Sequence, residues 1–188
     1  EHGVILFNIS SPESPSFFGQ IPAENAWGTV FLDSLLIIMN GEFGLKIMDI
    51  TDLFNPVTIT EISTAGATKD LALDENHLIV AMGSDGIARY DLSDPSNPQL
   101  LDTYNSAGLA NRIALIDGKI AVSEWVDVKI LEYNGSELQL VGYKNTGYRT
   151  MAINAKGNVI YSAEWRHLQV LEYGSISGPD LDLSSHDI

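Results

Sequence analysis

The sequence predicts an all-β chain folded as a β-propeller, on two observations. The first is an internal repeat of about forty residues. The segments GVILFNI from Gly3, GLKIMDI from Gly44, GIARYDL from Gly86, DVKILEY from Asp127 and HLQVLEY from His167 align with one another. Their first residues lie 41, 42, 41 and 40 positions apart. Each segment alternates apolar and polar residues, the period of a half-buried strand. The second observation is that each period carries three further strand-like runs. Around Gly86–Leu92 these are Asp70–Leu73, His77–Met82 and Gln99–Tyr104; the next period shows Arg112–Leu115, Lys119–Ser123, Asp127–Tyr133 and Glu137–Tyr143. Four short antiparallel strands per forty-odd residues make one propeller blade. A β-sandwich would also use short strands, but it requires no internal period.

The turns between runs support the same reading. Ser10–Pro15, Thr51–Pro56 and Ser93–Pro98 follow the first three segments; each opens on Ser or Thr and ends on Pro, and the last two also carry Asp and Asn. Asp and Asn close such turns on their own backbone, and Pro presets φ. After the last two segments these become Asn134-Gly135-Ser136 and Gly174–Gly178, and Asn-Gly suits a tight hairpin. The predicted layout is a half blade over 1–25, four blades over 26–66, 67–108, 109–147 and 148–177, and a tail over 178–188. About four and a half blades form an incomplete ring. The sequence therefore predicts a segment of a larger propeller, whose open edges would otherwise invite association with other chains.

Gly86-Ile87-Ala88-Arg89-Tyr90-Asp91-Leu92-Ser93-Asp94-Pro95-Ser96-Asn97-Pro98 resembles the G-L-x-V-I-D-V-S-D-P-x-N-P pattern of the LVIVD repeat, and Gly44–Pro56 is close to it. The resemblance runs from Gly3 to about Tyr173. In the last two copies Glu132 and Glu172 replace the Asp and the S-D-P turn is gone, so these are blades by spacing rather than by motif. The LVIVD family implies an extracellular bacterial or archaeal propeller. The tail from Gly178 to Ile188 resembles the opening strand of the Ig-like (choice-of-anchor or ASH-type) domains that follow such propellers; it reads alternatively as a simple linker or terminal strand. Extracellular or cell-surface placement rests on these resemblances, not on a targeting signal.

Composition narrows the function. The 188 residues include 25 acidic and 10 basic side chains, for a formal charge of −15. That sign repels phosphate backbones, so nucleic acid is not an expected partner. With no Cys there are no disulfides, thiolate metal sites or thiol nucleophiles. No apolar run approaches the roughly 20 residues of a membrane span. Motifs of the G-x-S-x-G, H-E-x-x-H, Walker or dinucleotide-loop kind do not occur, and His2, His77, His167 and His186 are not at metal-ligand spacing. Asp52, Asn55, Asp91, Asp94 and Asn97 are oxygen donors, but they lack the spacing of a calcium loop and read as turn closers. No catalytic residue, metal or cofactor is expected.

The candidate ligand-binding residues come from the repeat. In a propeller, turns between the second and third strands and links between blades emerge on one face. Those turns hold Glu42-Phe43, Ser84-Asp85, Glu124-Trp125 and Glu164-Trp165-Arg166; the links hold Trp27, Lys69, Asn111-Arg112 and Tyr148-Arg149. Trp27, Phe43, Arg112, Glu124, Trp125, Arg149, Glu164 and Trp165 are the candidate site. Aromatics among acid and Arg suit protein hot spots or sugar stacking. Trp125 and Trp165 read equally as wedges packed between blades. The expected function is a non-catalytic surface module recognising a protein or glycan. A structural subunit of a surface layer, filament or larger assembly is the alternative. A hydrolase using Glu124, Glu164, Arg112 and Arg149 is the third reading.

Overall fold

The computed structural model describes residues 3–174 and 184–187. The chain is all-β. β1 (Gly3–Asn8) and β2 (Ser16–Pro22) form a two-stranded sheet. Four four-stranded antiparallel sheets follow in chain order. They are β3 (Gly28–Leu32), β4 (Leu35–Met39), β5 (Leu45–Asp49) and β6 (Val57–Ile62); β7 (Asp70–Asp74), β8 (His77–Ala81), β9 (Ile87–Asp91) and β10 (Gln99–Tyr104); β11 (Arg112–Ile116), β12 (Lys119–Ser123), β13 (Asp127–Tyr133) and β14 (Leu138–Asn145); and β15 (Thr150–Lys156), β16 (Val159–Glu164), β17 (Leu168–Glu172) and β18 (Ser184–Asp187). Each sheet is a meander with strands paired in sequence order, and the first strands β3, β7, β11 and β15 are neighbours in space. This is the propeller arrangement, with the first strand of each blade innermost.

The core lies between sheets, and strand periodicity builds it. In β4, Leu36 and Ile38 pack against Ile21, Ala23 and Met48 of the two-stranded sheet side, while Ile37 and Met39 face the next blade. In β8, Leu78 and Val80 face back and Ile79 and Ala81 face forward. In β12, Ile120 and Val122 face back and Ala121 forward. Both faces of these second strands are buried, so they read as continuous apolar runs. Polar staples join the blades. Asp70 Oδ2 accepts the Ile113 N–H at 2.8 Å, and Asp102 accepts the Leu138 N–H.

The outer turns explain the motif's Asp and Ser. Asp49 Oδ1 accepts from Thr51 N at 2.8 Å and Thr51 Oγ1 at 2.6 Å; Asp91 makes the same pair of bonds with Ser93. Asp52 and Asp94 close the next turn on Phe54 N and Ser96 N. Hydrogen bonds from these side chains and amides hold all four carboxyls below their ordinary pKa. The motif is turn chemistry, as the sequence predicts.

The motif's Gly has a steric reason. Gly86 sits at φ +76° where β9 begins, and a Cβ there would collide with the carbonyl of Tyr104 on the neighbouring strand; Gly44 repeats this against Ile62. In these two copies the preceding turn spans four residues, closed by Asn40 N to Gly44 O and Met82 N to Gly86 O. In the last two it spans three, closed by Glu124 N to Asp127 O and Glu164 N to His167 O. The shorter turn dispenses with Gly.

Where it is described, the tail is a terminal strand, one of the readings the sequence leaves open. Ser184–Asp187 pairs antiparallel with β17 as the outermost strand of the last blade, so that blade does not end at 177. The physical reason is the open edge of β17, whose unpaired backbone groups the tail satisfies. The rest of the expected linker or Ig-like strand, residues 175–183 and 188, lies outside the described residues. At the two ends of the arc, Ile5, Phe7 and Phe17 on one side and Met151, Tyr161 and Leu168 on the other are exposed.

Gly86→Ala is expected to cost about 2–4 kcal/mol, the sum of left-handed strain and carbonyl overlap. A urea denaturation midpoint measures it. Gly174→Ala, with nothing near its Cβ position, is the control and should change little.

Candidate functional site

The face carrying the second-to-third-strand turns is stitched from blade to blade. Thr68 N donates to Gly41 O at 3.0 Å, and Thr68 Oγ1 reaches the same carbonyl at 3.1 Å. Gly83 and Ala110 exchange two bonds, 3.0 and 2.9 Å. Thr150 N donates to Trp125 O at 3.3 Å. The first three turns are thereby bonded to the segment that leads into the next blade, and Trp165 N donates to Arg149 O at 2.9 Å within the last blade.

What meets there is a series of aromatics and cations. Lys69 Nζ lies 5.5 Å from the Trp27 ring centroid, Arg149 Cζ 4.3 Å from Trp125 and Arg166 Cζ 5.9 Å from Tyr148. The spacing is that of cation–π contacts. Tyr148 also meets His167 edge-on at 5.1 Å. Trp27 is 61% exposed, Trp125 47% and Trp165 66%, which decides against the wedge reading for Trp125 and Trp165. Phe43 is exposed on the single 3-10 turn Gly41–Phe43. The Trp27 indole is oriented by its own bond, Nε1 to Asn25 Oδ1 at 2.9 Å.

A cavity of about 260 Å³ opens beside Trp27, lined among others by Met39, Lys69, Asp70, Leu71 and Arg112. Arg112 Nη1 donates to the carbonyls of Lys69 and Asn111 at 2.9 and 3.0 Å, which anchors the Lys69 backbone. Burial raises the Asp70 carboxyl pKa above the ordinary range, against the lowering effect of the Ile113 and Leu71 amides and of Arg112.

Two candidate residues sit elsewhere. Glu124 and Glu164 are buried, not presented to solvent on the rim. They occupy the position of Asn40 and Met82 at the end of the second strand, whose amide closes the turn and whose side chain is buried in all four blades. Glu124 Oε2 pairs with Lys129 Nζ at 2.7 Å, and Lys129 also donates to Ser106 O. Glu124 Oε1 has no partner among the described residues, nor does Asp127 Oδ1. Burial raises the Glu124 carboxyl despite Lys129. Glu164 Oε1 accepts from Ser162 Oγ at 2.8 Å and Thr150 Oγ1 at 3.3 Å. These carboxylates brace the turns beneath the rim. Among the described residues no group of three His, Asp or Glu is placed to hold a metal. Outside the predicted site, Lys69 and Asp70 join the cavity; their repeat positions, matching Asn111 and Arg112 one blade on, are the signal that identifies them.

Comparison with known proteins agrees with the fold. The LVIVD repeat matches residues 65–106, one blade's worth of chain. No curated sequence matches. Among solved structures, the β-propeller domain of Myceliophteria thermophila Cps50 (Swd1) is similar at TM-score 0.75 and 15% identity, over 92% of this chain and 64% of that one. The computationally designed Ika4 protein is similar at TM-score 0.68 and 12% identity, over 84% of this chain and 100% of that one. The N-terminal domain of Nup159 aligns at TM-score 0.60 and 10% identity, over 90% and 49%. The chain thus spans less than two thirds of the Cps50 and Nup159 chains, and at these identities the likeness shows the fold alone. No helix among the described residues is long and apolar enough to cross a membrane.

Lys129→Met is expected to cost about 3 kcal/mol at neutral pH, because it leaves a buried carboxylate unpaired. The carboxyl pKa of Glu124 then rises further. A carboxyl raised on folding binds its proton more tightly in the native state, so its stability falls as pH rises through the folded pKa. The deficit of this variant should therefore be larger at pH 8 than at pH 5, as paired urea titrations would show.

Proposed function

We propose that this chain is a non-catalytic recognition module acting outside the cell, which binds a protein or glycan through the stitched rim. One observation carries the reading. Exposed Trp and Tyr side chains recur along one face, and cations from the lead-in segments and turns sit over them. Large exposed aromatics with a polar collar are the residues that dominate binding energy at interfaces. The turns that hold them are bonded across blades, so little ordering entropy is lost on binding. The inward location of Glu124 and Glu164 supports binding over hydrolysis, since an acid–base pair must reach a substrate. The extracellular setting rests on the LVIVD match.

A second reading has its own observation. Ile5, Phe7 and Phe17, and Met151, Tyr161 and Leu168, are exposed on the outward sheet faces at the two ends of the arc. Apolar faces of that kind suit further sheets or other chains of an assembly. Sedimentation of the intact chain separates the readings: a discrete oligomer that Phe7→Ser with Tyr161→Ser dissolves would favour assembly.

For the rim, Trp125→Ala with Trp165→Ala should weaken capture on arrays of immobilised polysaccharides and matrix proteins by about 30-fold or more, at roughly 2 kcal/mol per hot spot. Unchanged capture by a folded double variant would remove the rim from the account.

A further inference from the structure

We infer that the cavity beside Trp27 is a subsite for a single uronic-acid ring, a proposal that rests on the recognition reading above. The Trp27 indole is a flat apolar surface, exposed and held by Asn25. Such a face stacks on the C–H face of a pyranose ring. A free phosphate has no apolar face to offer it. The volume of about 260 Å³ is small for a ligand pocket, below the usual range of about 300–1,000 Å³, and suits one ring rather than an extended ligand.

Charge selects the kind of ring. The lining carries Lys69 and Arg112 against Asp70, a formal balance of +1, in a chain of formal charge −15. Lys69 forms no ion pair with a carboxylate among the described residues, and its ammonium lies over the Trp27 ring, 5.5 Å from the centroid. A carboxylate on the stacked ring would meet that ammonium. Asp70 accepts the Ile113 amide through Oδ2 and is also bonded by the Leu71 amide, and a carboxylate with about four lone-pair sites keeps capacity to accept from a ring hydroxyl. A single negative charge balances the lining, whereas a nucleotide or other densely charged ligand would be opposed by the field of the whole protein. Ring hydroxyls, one carboxylate and an apolar face together describe a uronic acid.

Two of these parts, Trp27 and Arg112, are legible in the repeat. The repeat places Trp27 and Lys69 at the same position in successive blades, and Asp70 and Arg112 likewise. The innermost strands of three blades, β3, β7 and β11, thus each deliver one or more groups to one cavity.

The test uses the intact chain and a matched pair of probes, methyl β-D-glucuronide and methyl β-D-glucoside, which differ at C6 as carboxylate against hydroxymethyl. The chain has three Trp, so an amide–nitrogen correlation spectrum carries one indole signal for each. The expected result is a saturable shift of the Trp27 indole with the glucuronide, at least tenfold tighter than with the glucoside and weakened by salt. Lys69→Met should bring the glucuronide down to the glucoside's affinity, and Lys69→Arg should retain the preference. Equal affinity for the two probes, shifts confined to Trp125 or Trp165, or no saturable shift would each overturn the subsite. None of those results touches the rim reading, which stands or falls on the Trp125 and Trp165 double variant.

Discussion

The structure depends on burial of side chains between neighbouring sheets. Within a blade, backbone hydrogen bonds do the joining. Between blades such bonds lie, among the described residues, on the rim, and the sheets hold together because the second strands β4, β8 and β12 are apolar on both faces. Ile37 and Ile38 are adjacent in sequence and face opposite neighbours, and both are fully buried. A one-residue slip in β4 would exchange the two faces, so register is set by packing on both sides. The tight turn at Gly44 and Gly86 follows, because the third strand must leave the second without striking the fourth.

Polar groups then occupy the places that packing leaves. On the outer side, Asp49, Asp52, Asp91 and Asp94 are spent on their own turns, Asp49 and Asp91 half-buried and Asp52 and Asp94 exposed. On the rim, Glu124 and Glu164 at the turn-closing position are buried, and the exposed groups mix aromatics and cations with the acids Glu42 and Asp85. Four of the ten Lys and Arg residues, Lys69, Arg112, Arg149 and Arg166, lie there. An acidic protein thus gathers cations beside its rim aromatics, a local contrast that can orient an approaching anion.

The repeat made the architecture legible before any coordinates. Period-2 patterning located β12 and β13 to the residue, and the Asp-Ser turns followed from side-chain chemistry. The candidate site was legible in part. Repeat phase alone places Trp27, Trp125, Trp165 and Arg149 on one rim. It does not tell which of two adjacent residues in a turn points inward, and Glu124 and Trp125 are such a pair. Their difference lies in turn length and in Lys129, which reaches Glu124 from the neighbouring strand. The tail stayed open because eleven residues with an alternating pattern serve equally as a blade's last strand or a domain's first; pairing of Ser184–Asp187 with β17 favours the terminal strand.

The central claim is that the rim is a preformed surface, held by bonds that cross between blades. Native-state amide hydrogen exchange tests it most directly. The amides of Thr68, Gly83, Ala110 and Thr150 should show protection approaching that of the central strands β4, β8 and β12, and far above that of Phe54 and Ser96 in the outer turns. Rim amides that exchange as fast as those outer turns would contradict the account, because the aromatics and cations would then be assembled only on contact with a ligand.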